Sequence, residues 1–344
     1  MSPKERLHAA VAGLPLDRTP VTPIFMAWAA NFIGRTYRDY YLDHNCMVEA
    51  QLAVTRRFHL DQISSISDPW REASAFGMQF QWPPEGVGIP QGYLLNTEED
   101  VRKLQPYDPL TAARTRDRID AVRQYVALVG ATHSVLGWVE GPLAAYVDLR
   151  GLDNAMVDLI EAPELFHHAA QIIIDCAIAF AEPQIASGAD VIGIGDAAAS
   201  LVGPTLYVQH ILPWEQKLVA AIHNLGQRHG TNKRLGGVKT KMHICGNIGP
   251  IVEHIARTGT DVIDVDWMVP LAHARQAAGP RVTLAGNFNP AADLLFGTPE
   301  KLRILAARCI AEGSLNGARF LLQPGCEVPP ATPIANIEAF CPKE

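Results

Sequence analysis

The sequence predicts an α/β protein built as a (β/α)8 TIM barrel, with extra helices at the N-terminus and insertions between the early units. Three features of the chain predict this fold. Short apolar, β-branched runs recur along the sequence, and the segments between them carry apolar residues at three- and four-residue steps. Polar side chains follow most of these runs directly. Active sites of such barrels are built at the C-terminal ends of the strands, so the same pattern predicts where the site lies.

Eight runs have the composition of buried parallel strands, which are apolar on both faces because helices cover the sheet. In chain order they span residues 20–25, 62–67, 135–139, 191–195, 241–245, 262–265, 282–286 and 319–322. The polar residues that close or follow these runs are Asp68, Glu140, Asp196, His243 with Cys245, Asp266, Asn287 and Cys326. Any one of them alone is more typical of a helix cap or a turn, but their repeated position predicts a shared site.

The connections between the runs are predicted from the same spacing. Residues 155–183 and 207–229 are apolar at helical steps, as helices that cover a parallel sheet would be. The connections after the first and second runs are longer than ordinary barrel connections, which predicts extra helices or an inserted segment there. Residues 79–95 are typical of an irregular loop near the strand ends. Because no change in composition marks a linker, we expect a single domain over residues 1–344.

The composition excludes several classes of protein. Apolar residues make up 48% of the chain and charged residues 19%, which supports a large core and is unlike disorder. A net charge of −7 lacks the basic footprint of a nucleic-acid-binding protein, so we expect no such partner. We find no apolar run long enough to cross a membrane and no apolar leader after the charged start, so we expect a cytoplasmic protein without a membrane partner.

Three residues have the chemistry of a metal site. His243 and Cys245 lie two residues apart in an expected strand, so their side chains should point to one face, and Cys326 follows the last run in a Pro-Gly-Cys-Glu turn. Two thiolates and an imidazole suit Zn²⁺, and three protein ligands leave the fourth position open, as in catalytic zinc sites. The alternatives are that the three residues are unrelated buried side chains, or that they hold structural zinc with a fourth protein ligand.

At these residues the chain resembles the uroporphyrinogen decarboxylase superfamily, and within it the zinc methyltransferases that act with a corrinoid. The resemblance begins with Lys4-Glu-Arg-Leu-His-Ala-Ala-Val, includes His243-Ile-Cys-Gly-Asn and ends with Gly325-Cys-Glu-Val-Pro-Pro. It implies that His243, Cys245 and Cys326 bind Zn²⁺. It also implies a corrinoid, such as methylcobalamin, as a co-substrate that is free or carried by a partner corrinoid protein.

The decarboxylases of this superfamily resemble one another in an arginine-rich segment after the first strand, which grips the carboxylates of the porphyrin. In this chain only Arg35 is available in that segment, although Asp68 stands where the decarboxylases keep their catalytic aspartate. A substrate with many carboxylates needs several cations. The resemblance therefore favours the methyltransferase branch, with uroporphyrinogen decarboxylation as a minor alternative.

The activity implied by the resemblance is transfer of a methyl group between a corrinoid and a thiol or another heteroatom substrate. The reverse use, demethylation of a methylated oxygen, nitrogen or sulfur donor by a cobalt(I) corrinoid, is the alternative, and the sequence does not choose the direction. The acidic candidates for catalysis serve as a fourth zinc ligand, a proton acceptor or a partner that orients His243; they are Asp68, Glu140 and Asp196. Two further side chains are candidates for hydrogen bonds to the substrate, Tyr146 and Asn287.

Overall fold

The computed structural model of the chain describes residues 1–317 and 319–342, so the last two residues of the predicted domain, 343 and 344, lie outside the described residues. The helices are α1 (Pro3–Ala12), α2 (Ala27–Phe32), α3 (Tyr37–Leu42), α4 (His44–Arg57), α5 (Trp70–Ala75), α6 (Glu98–Arg102), α7 (Ala113–Val129), α8 (Pro142–Arg150), α9 (Leu152–Glu161), α10 (Pro163–Ala186), α11 (Pro204–Leu206), α12 (Leu212–His229), α13 (Val252–Ala256), α14 (Leu271–Ala278), α15 (Pro299–Gly313) and α16 (Ile334–Phe340). The strands are β1 (Gln62–Ser64), β2 (Phe80–Gln81), β3 (Ile89–Pro90), β4 (Ser134–Glu140), β5 (Val191–Gly195), β6 (Lys239–His243), β7 (Val262–Asp264), β8 (Thr283–Phe288) and β9 (Phe320–Pro324).

The core of the protein is a curled parallel sheet of seven strands in the order β1-β4-β5-β6-β7-β8-β9. Helices connect the consecutive strands, as parallel pairing requires. The predicted α/β class with a parallel sheet is therefore confirmed as a TIM-barrel-like arrangement. Seven of the eight predicted runs contain strands, and their ends differ from the prediction by at most three residues.

The first predicted strand, residues 20–25, is the exception. Among the described residues it contributes only an isolated parallel bridge between Val21 and Leu322 of β9. On its other side, the amide of Asp61 donates to the carbonyl of Val21 at 3.1 Å. Pro20 and Pro23 have no N–H group to donate, so a regular ladder cannot extend along this segment. The prediction of a regular eighth strand is wrong for this physical reason.

The predicted N-terminal helices and early insertion are both present. Helices α1 to α4 precede the first strand of the sheet, and the segment between β1 and β4 holds three helices and the small antiparallel pair β2 and β3. This pair lies within the predicted irregular loop, residues 79–95. The loop packs through Trp82, whose ring contacts the rings of Phe80 and Tyr41.

The predicted helix over residues 155–183 is divided at Ala162 into α9 and α10, because Pro163 cannot continue the preceding helix. By length and composition alone α10 could cross a membrane, which corrects the prediction that no segment is long enough. However, 56% of its most apolar window is buried inside the protein, and it packs against α8 and α12. A core helix of a soluble protein has these same properties, and the finding is weak evidence for a membrane.

The pairing register places one row of residues across the C-terminal end of the sheet. Glu140 pairs with Gly195, Gly195 with His243, and His243 with Asp264. Register partners in a sheet point to the same face, so these side chains belong to the inner side of the curled sheet. Beneath this row an apolar cluster on the inner side is closed by α1, with Leu7 and Val11 among its packed side chains.

Candidate metal centre

Three soft donor atoms converge at the C-terminal end of the sheet. The Nε2 atom of His243 lies 3.2 Å from the Sγ atom of Cys245 and 3.9 Å from the Sγ atom of Cys326, and the two sulfurs are 3.5 Å apart. His243 is the last residue of β6, while Cys245 lies in the turn beyond it and Cys326 in the turn after β9. The expected strand therefore ends two residues early, yet the two side chains still meet.

These distances fit a single metal ion. A tetrahedral Zn²⁺ site with Zn–S bonds of about 2.3 Å and Zn–N bonds of about 2.0 Å has ligand-to-ligand distances of roughly 3.5 to 3.8 Å. His243, Cys245 and Cys326 form a group of donor atoms that could hold a metal ion, and the two thiols remain partly exposed. Three protein donors and an accessible side are what a catalytic zinc site needs.

The carboxylate that orients His243 is Asp264, which sequence reasoning missed. Its Oδ2 atom lies 2.8 Å from Nδ1 of His243, and its Oδ1 atom lies 3.2 Å from Nζ of Lys241. A ligand histidine that donates its second nitrogen to a carboxylate is fixed in tautomer and ring orientation. Asp264 closes the short run 262–264 in register with His243, but the pairing of distant strands is not readable from the sequence.

Burial, charge and hydrogen bonding within the centre shift the pKa values of its three donor side chains. Burial acts to lower the pKa of His243, but the charge of Cys245 and the hydrogen bond with Asp264 outweigh it and raise that pKa well above its usual value. Hydrogen bonds from Cys245 and His243 lower the pKa of Cys326 to about 4, while the hydrogen bond to Cys326 and burial raise the pKa of Cys245. Metal binding must displace the protons that the imidazole and the thiols hold.

Glu140 and Asp68 share a buried cluster beside the centre. Arg71 is fully buried and contacts both of them, through the Glu140 carboxylate and the carbonyl of Asp68. The Asp68 carboxylate also pairs with Arg114 at 2.5 Å. Glu140 accepts a hydrogen bond from Nε1 of Trp138 at 3.2 Å, and the Trp138 ring lies 5.9 Å from the His243 ring. Trp138 therefore links the acidic cluster to the metal ligands.

Gly195 leaves room for the contact between Trp138 and Glu140. A Cβ atom there would lie 2.8 Å from Oε2 of Glu140 and 3.1 Å from Nε1 of Trp138. Because Gly195 stands between Glu140 and His243 in the register, it leaves the space between these two side chains open. The glycine is required by this close packing.

Asp196 lies apart from the other acidic candidates. It follows Gly195, so strand alternation turns its side chain to the helix-covered face, away from His243. Its Oδ1 atom accepts a hydrogen bond from the amide of Ala144 at 2.6 Å, in the first turn of α8. Burial raises the pKa of Asp196 to about 6. Asp196 thus stabilises the start of α8. Its catalytic role stays a prediction, because no contact with the metal ligands supports it.

The two predicted substrate-binding side chains already have protein partners. The hydroxyl of Tyr146 is buried and donates to Asp158 at 2.6 Å, within the helical layer. The amide nitrogen of Asn287 donates to the carbonyls of Val269 at 2.7 Å and Asp266 at 3.3 Å. Asn287 therefore holds the turn after β7. Neither contact places these groups beside the metal ligands.

The turn after β7 is connected to the centre by Asp266, one of the polar residues that follow the predicted strands. Its Oδ2 atom accepts a hydrogen bond from the amide of Gly246, next to Cys245, at 3.0 Å. Its Oδ1 atom accepts from the amide of Met268 at 3.0 Å. Asp266 thus fixes the backbone that carries one of the two thiols.

We expect Glu140 to make stability depend on pH. Burial raises the pKa of Glu140 to about 8, against opposition from Arg71. The folded protein therefore retains a proton that the unfolded chain releases above its ordinary pKa of about 4.3, and the folded state loses stability as pH rises toward 8. Glu140→Gln removes this effect, so the variant should gain stability relative to wild type by at most about 1.4 kcal/mol per pH unit in that window. Urea unfolding of both proteins across the window measures it, and parallel pH profiles would contradict it.

Comparison with known proteins adds to this geometry. The family model described as Uroporphyrinogen decarboxylase (URO-D) matches residues 2–342. A uroporphyrinogen decarboxylase of Coxiella burnetii (strain Dugway 5J108-111) is 28% identical over 98% of this chain and 93% of its own length. The methylcobamide:CoM methyltransferase MtaA of Methanosarcina barkeri (strain Fusaro / DSM 804) is 27% identical over 98% of this chain and 96% of its own.

A solved structure, a methyltransferase from Methanosarcina mazei, has the same fold. It superposes with a TM-score of 0.86 over 99% of this chain and 97% of its own, at 24% identity. The similarity to decarboxylases and to methyltransferases is nearly equal in identity and coverage. The choice between these activities therefore depends on the residues of the centre.

Proposed function

Because the chain belongs to the uroporphyrinogen decarboxylase (URO-D) family, we propose that it is a zinc-dependent methyltransferase of that family, which moves a methyl group between a corrinoid and a thiol or other heteroatom substrate. The observation that carries this proposal is the convergence of one imidazole and two thiols at the C-terminal end of the sheet. The predicted membership of the superfamily is confirmed. The same proposal includes closure of the seven-stranded sheet into a barrel through the irregular segment 20–25, the single domain over residues 1–344 and the cytoplasmic location.

The cations around the centre argue against the decarboxylase activity. Arg35, the only arginine in the segment where the decarboxylases have several, is exposed. Arg71 and Arg114 are buried near the centre, but Arg71 already contacts Glu72 and Glu140, and Arg114 already pairs with Asp68. Neither of these buried arginines is free to pair with a substrate that has many carboxylates, and each unpaired buried charge costs several kcal/mol.

The protein's own residues prepare a site for a sulfur substrate. His243, Cys245 and Cys326 would hold the metal, and Asp264 keeps Nε2 of His243 directed toward the sulfurs. A Zn²⁺ ion held there would lower the pKa of a substrate thiol and so make it a nucleophile at neutral pH. The substrate sulfur would then take the methyl group from methylcobalt(III), leaving cobalt(I) with the bonding electron pair. The corrinoid is free methylcobalamin or the cofactor of a partner corrinoid protein.

Among the acidic candidates, we assign Glu140 the role closest to the reaction. It stands in the same row as His243, with only Gly195 between them. Once it has lost its proton it is suited to act as the resting fourth ligand or as a proton acceptor. Asp68 would act indirectly, through Arg71, which contacts both Asp68 and Glu140. Asp196 would act indirectly, through its hydrogen bond to the start of α8. Tyr146 and Asn287 are retained as substrate-binding candidates only if the substrate displaces their present partners.

An anaerobic absorbance assay tests the proposal. Wild-type protein loaded with zinc should convert methylcobalamin to cob(I)alamin when a panel of thiols is supplied, and a chelator should stop the reaction. If the enzyme works as a demethylase, cobalt(I) should instead be methylated when methylated ethers, amines or sulfides are supplied. Uroporphyrinogen offered to the same preparation should not be decarboxylated. Decarboxylation that persists with a chelator, together with silence in both methyl-transfer directions, would refute the proposal.

A further inference from the structure

We propose that Lys241 is a positioning residue of the metal centre, which acts through Asp264 to fix His243 as a ligand. The inference rests on the proposed zinc site and goes beyond it, because Lys241 contacts neither the metal ligands nor the space where a substrate would bind. It concerns how tightly and in what geometry the centre holds its ion. It therefore stands or falls independently of methyl transfer.

The geometry is a buried chain of polar contacts. Lys241 is only 1% exposed, and its Nζ atom lies 3.2 Å from Oδ1 of Asp264. The same nitrogen donates to Oε1 of Gln323 at 2.8 Å, and this oxygen also accepts from the hydroxyl of Thr22 at 3.0 Å. Asp264 is also 1% exposed, and its other oxygen contacts His243. Oδ2 of Asp264 thus contacts the imidazole, and Oδ1 forms the ion pair with Lys241.

Burial of a lysine in this position requires a compensating interaction. Transfer of an ammonium group from water to the protein interior is strongly unfavourable unless the group is paired and hydrogen-bonded. Asp264 and Gln323 supply that pairing, and β6 directs Lys241 to the same face as His243, two residues later. Asp264 is in this way held between a fixed cation and the imidazole. Its orientation cannot change without leaving Lys241 unpaired.

The charges explain why the ion needs this lysine. Two thiolates neutralise a divalent zinc ion, so Asp264 would add an uncompensated negative charge to a buried site. Lys241 balances it. Without Lys241, the Asp264 carboxylate would be buried without its cation and free to rotate away from Nδ1 of His243, and the ring would lose its fixed direction toward the sulfurs.

A double-mutant cycle on metal binding tests this inference. The variants are Lys241→Met, Asp264→Asn and the pair combined, with Lys239→Met as a matched control. Lys239 lies on the same strand and also forms an ion pair with an aspartate, Asp261, at 3.4 Å. Neither residue of this pair contacts a metal ligand among the described residues. Zinc affinity is measured by competition with a chelator, and Co²⁺ substituted for zinc reports the ligand field through its visible absorption bands.

We expect Lys241→Met to weaken zinc binding by about tenfold or more and to shift the Co²⁺ bands, as loss of a group that orients a ligand does. The Lys239→Met control should leave both unchanged. The combined variant should bind zinc no more weakly than Asp264→Asn alone, because Lys241 acts only through Asp264. It also buries no unpaired charge, so it remains informative if Lys241→Met fails to fold.

Two results would overturn the inference. The first is wild-type zinc affinity and an unchanged Co²⁺ spectrum in Lys241→Met, which would leave Lys241 a purely structural residue. The second is an additive loss of zinc affinity in the combined variant relative to Asp264→Asn. Failure of the methyl-transfer assay with intact zinc binding would affect only the proposed function.

Discussion

Cys326→Ala and Cys245→Ala are each expected to lose zinc, with the affinity falling by more than about 100-fold, which exceeds the effect of removing a group that merely orients a ligand. The remaining imidazole and single thiolate form an incomplete set of donors for a tetrahedral ion. Both thiols lie within 4 Å of Nε2 of His243. Among the described residues no other cysteine belongs to this group of donor atoms, so none is placed to substitute for them. Metal analysis after dialysis against a weak chelator measures the loss.

The matched control for these variants is Cys176→Ala. Cys176 is also a free thiol, but it is buried in α10 and its sulfur faces the carbonyl of Tyr107 at 3.9 Å. This variant should retain about one zinc per chain, as the three-ligand site predicts. Stoichiometric zinc in both Cys245→Ala and Cys326→Ala would show that the metal, if present, is held elsewhere.

Asp61→Asn is expected to destabilise the fold by about 3 to 5 kcal/mol, the range for breaking one side of a buried ion pair. Asp61 is fully buried and pairs with Arg6 at 2.6 Å and Arg18 at 2.6 Å. Its Oδ2 atom also accepts from the amide of Val21 at 2.8 Å. The residue therefore fastens the first predicted strand segment to the edge of the sheet. Asparagine would leave the guanidinium of Arg18 without its counter-charge and that of Arg6 with only the exposed Asp17.

Asp17→Asn is the control for this effect. Asp17 pairs with the same Arg6 at 2.7 Å, but its side chain is 41% exposed. An exposed pair of this kind contributes little to stability, because solvent screens it. Equilibrium unfolding in urea distinguishes the two variants. Equal losses of stability in Asp61→Asn and Asp17→Asn would mean that burial of the Asp61 cluster does not matter to the fold.

The sequence predicted the parts of this protein that depend on local pattern. Seven apolar runs contain strands of the sheet, and His243, Cys245 and Cys326 come together as their residue types indicated. The first run was apolar enough for a strand, but Pro20 and Pro23 remove the donors that a ladder needs. This outcome followed from backbone chemistry that composition alone does not weigh.

What the sequence could not predict concerns relations between distant segments. Asp264 and Lys241 come into contact because β6 pairs with β7. No residue spacing within the sequence predicts that contact. Asp196 looked like a residue of the site because it follows a strand, yet one step of alternation turns it to the opposite face. The Tyr146 hydroxyl found a partner on α9. Polar residues at strand ends indicate the edge of the sheet where a site lies, and the register decides which of them face it.

X-ray absorption at the zinc edge, with and without a substrate thiol, tests the central claim most directly. The claim is that His243, Cys245 and Cys326 hold zinc with one position open for a substrate heteroatom. We expect two sulfur ligands, at about 2.3 Å, and one histidine nitrogen in the free protein. A third sulfur should enter the shell when an active thiol from the methyl-transfer panel is added. A fully protein-bound shell that stays unchanged with every active substrate would contradict the claim and would identify the zinc as structural.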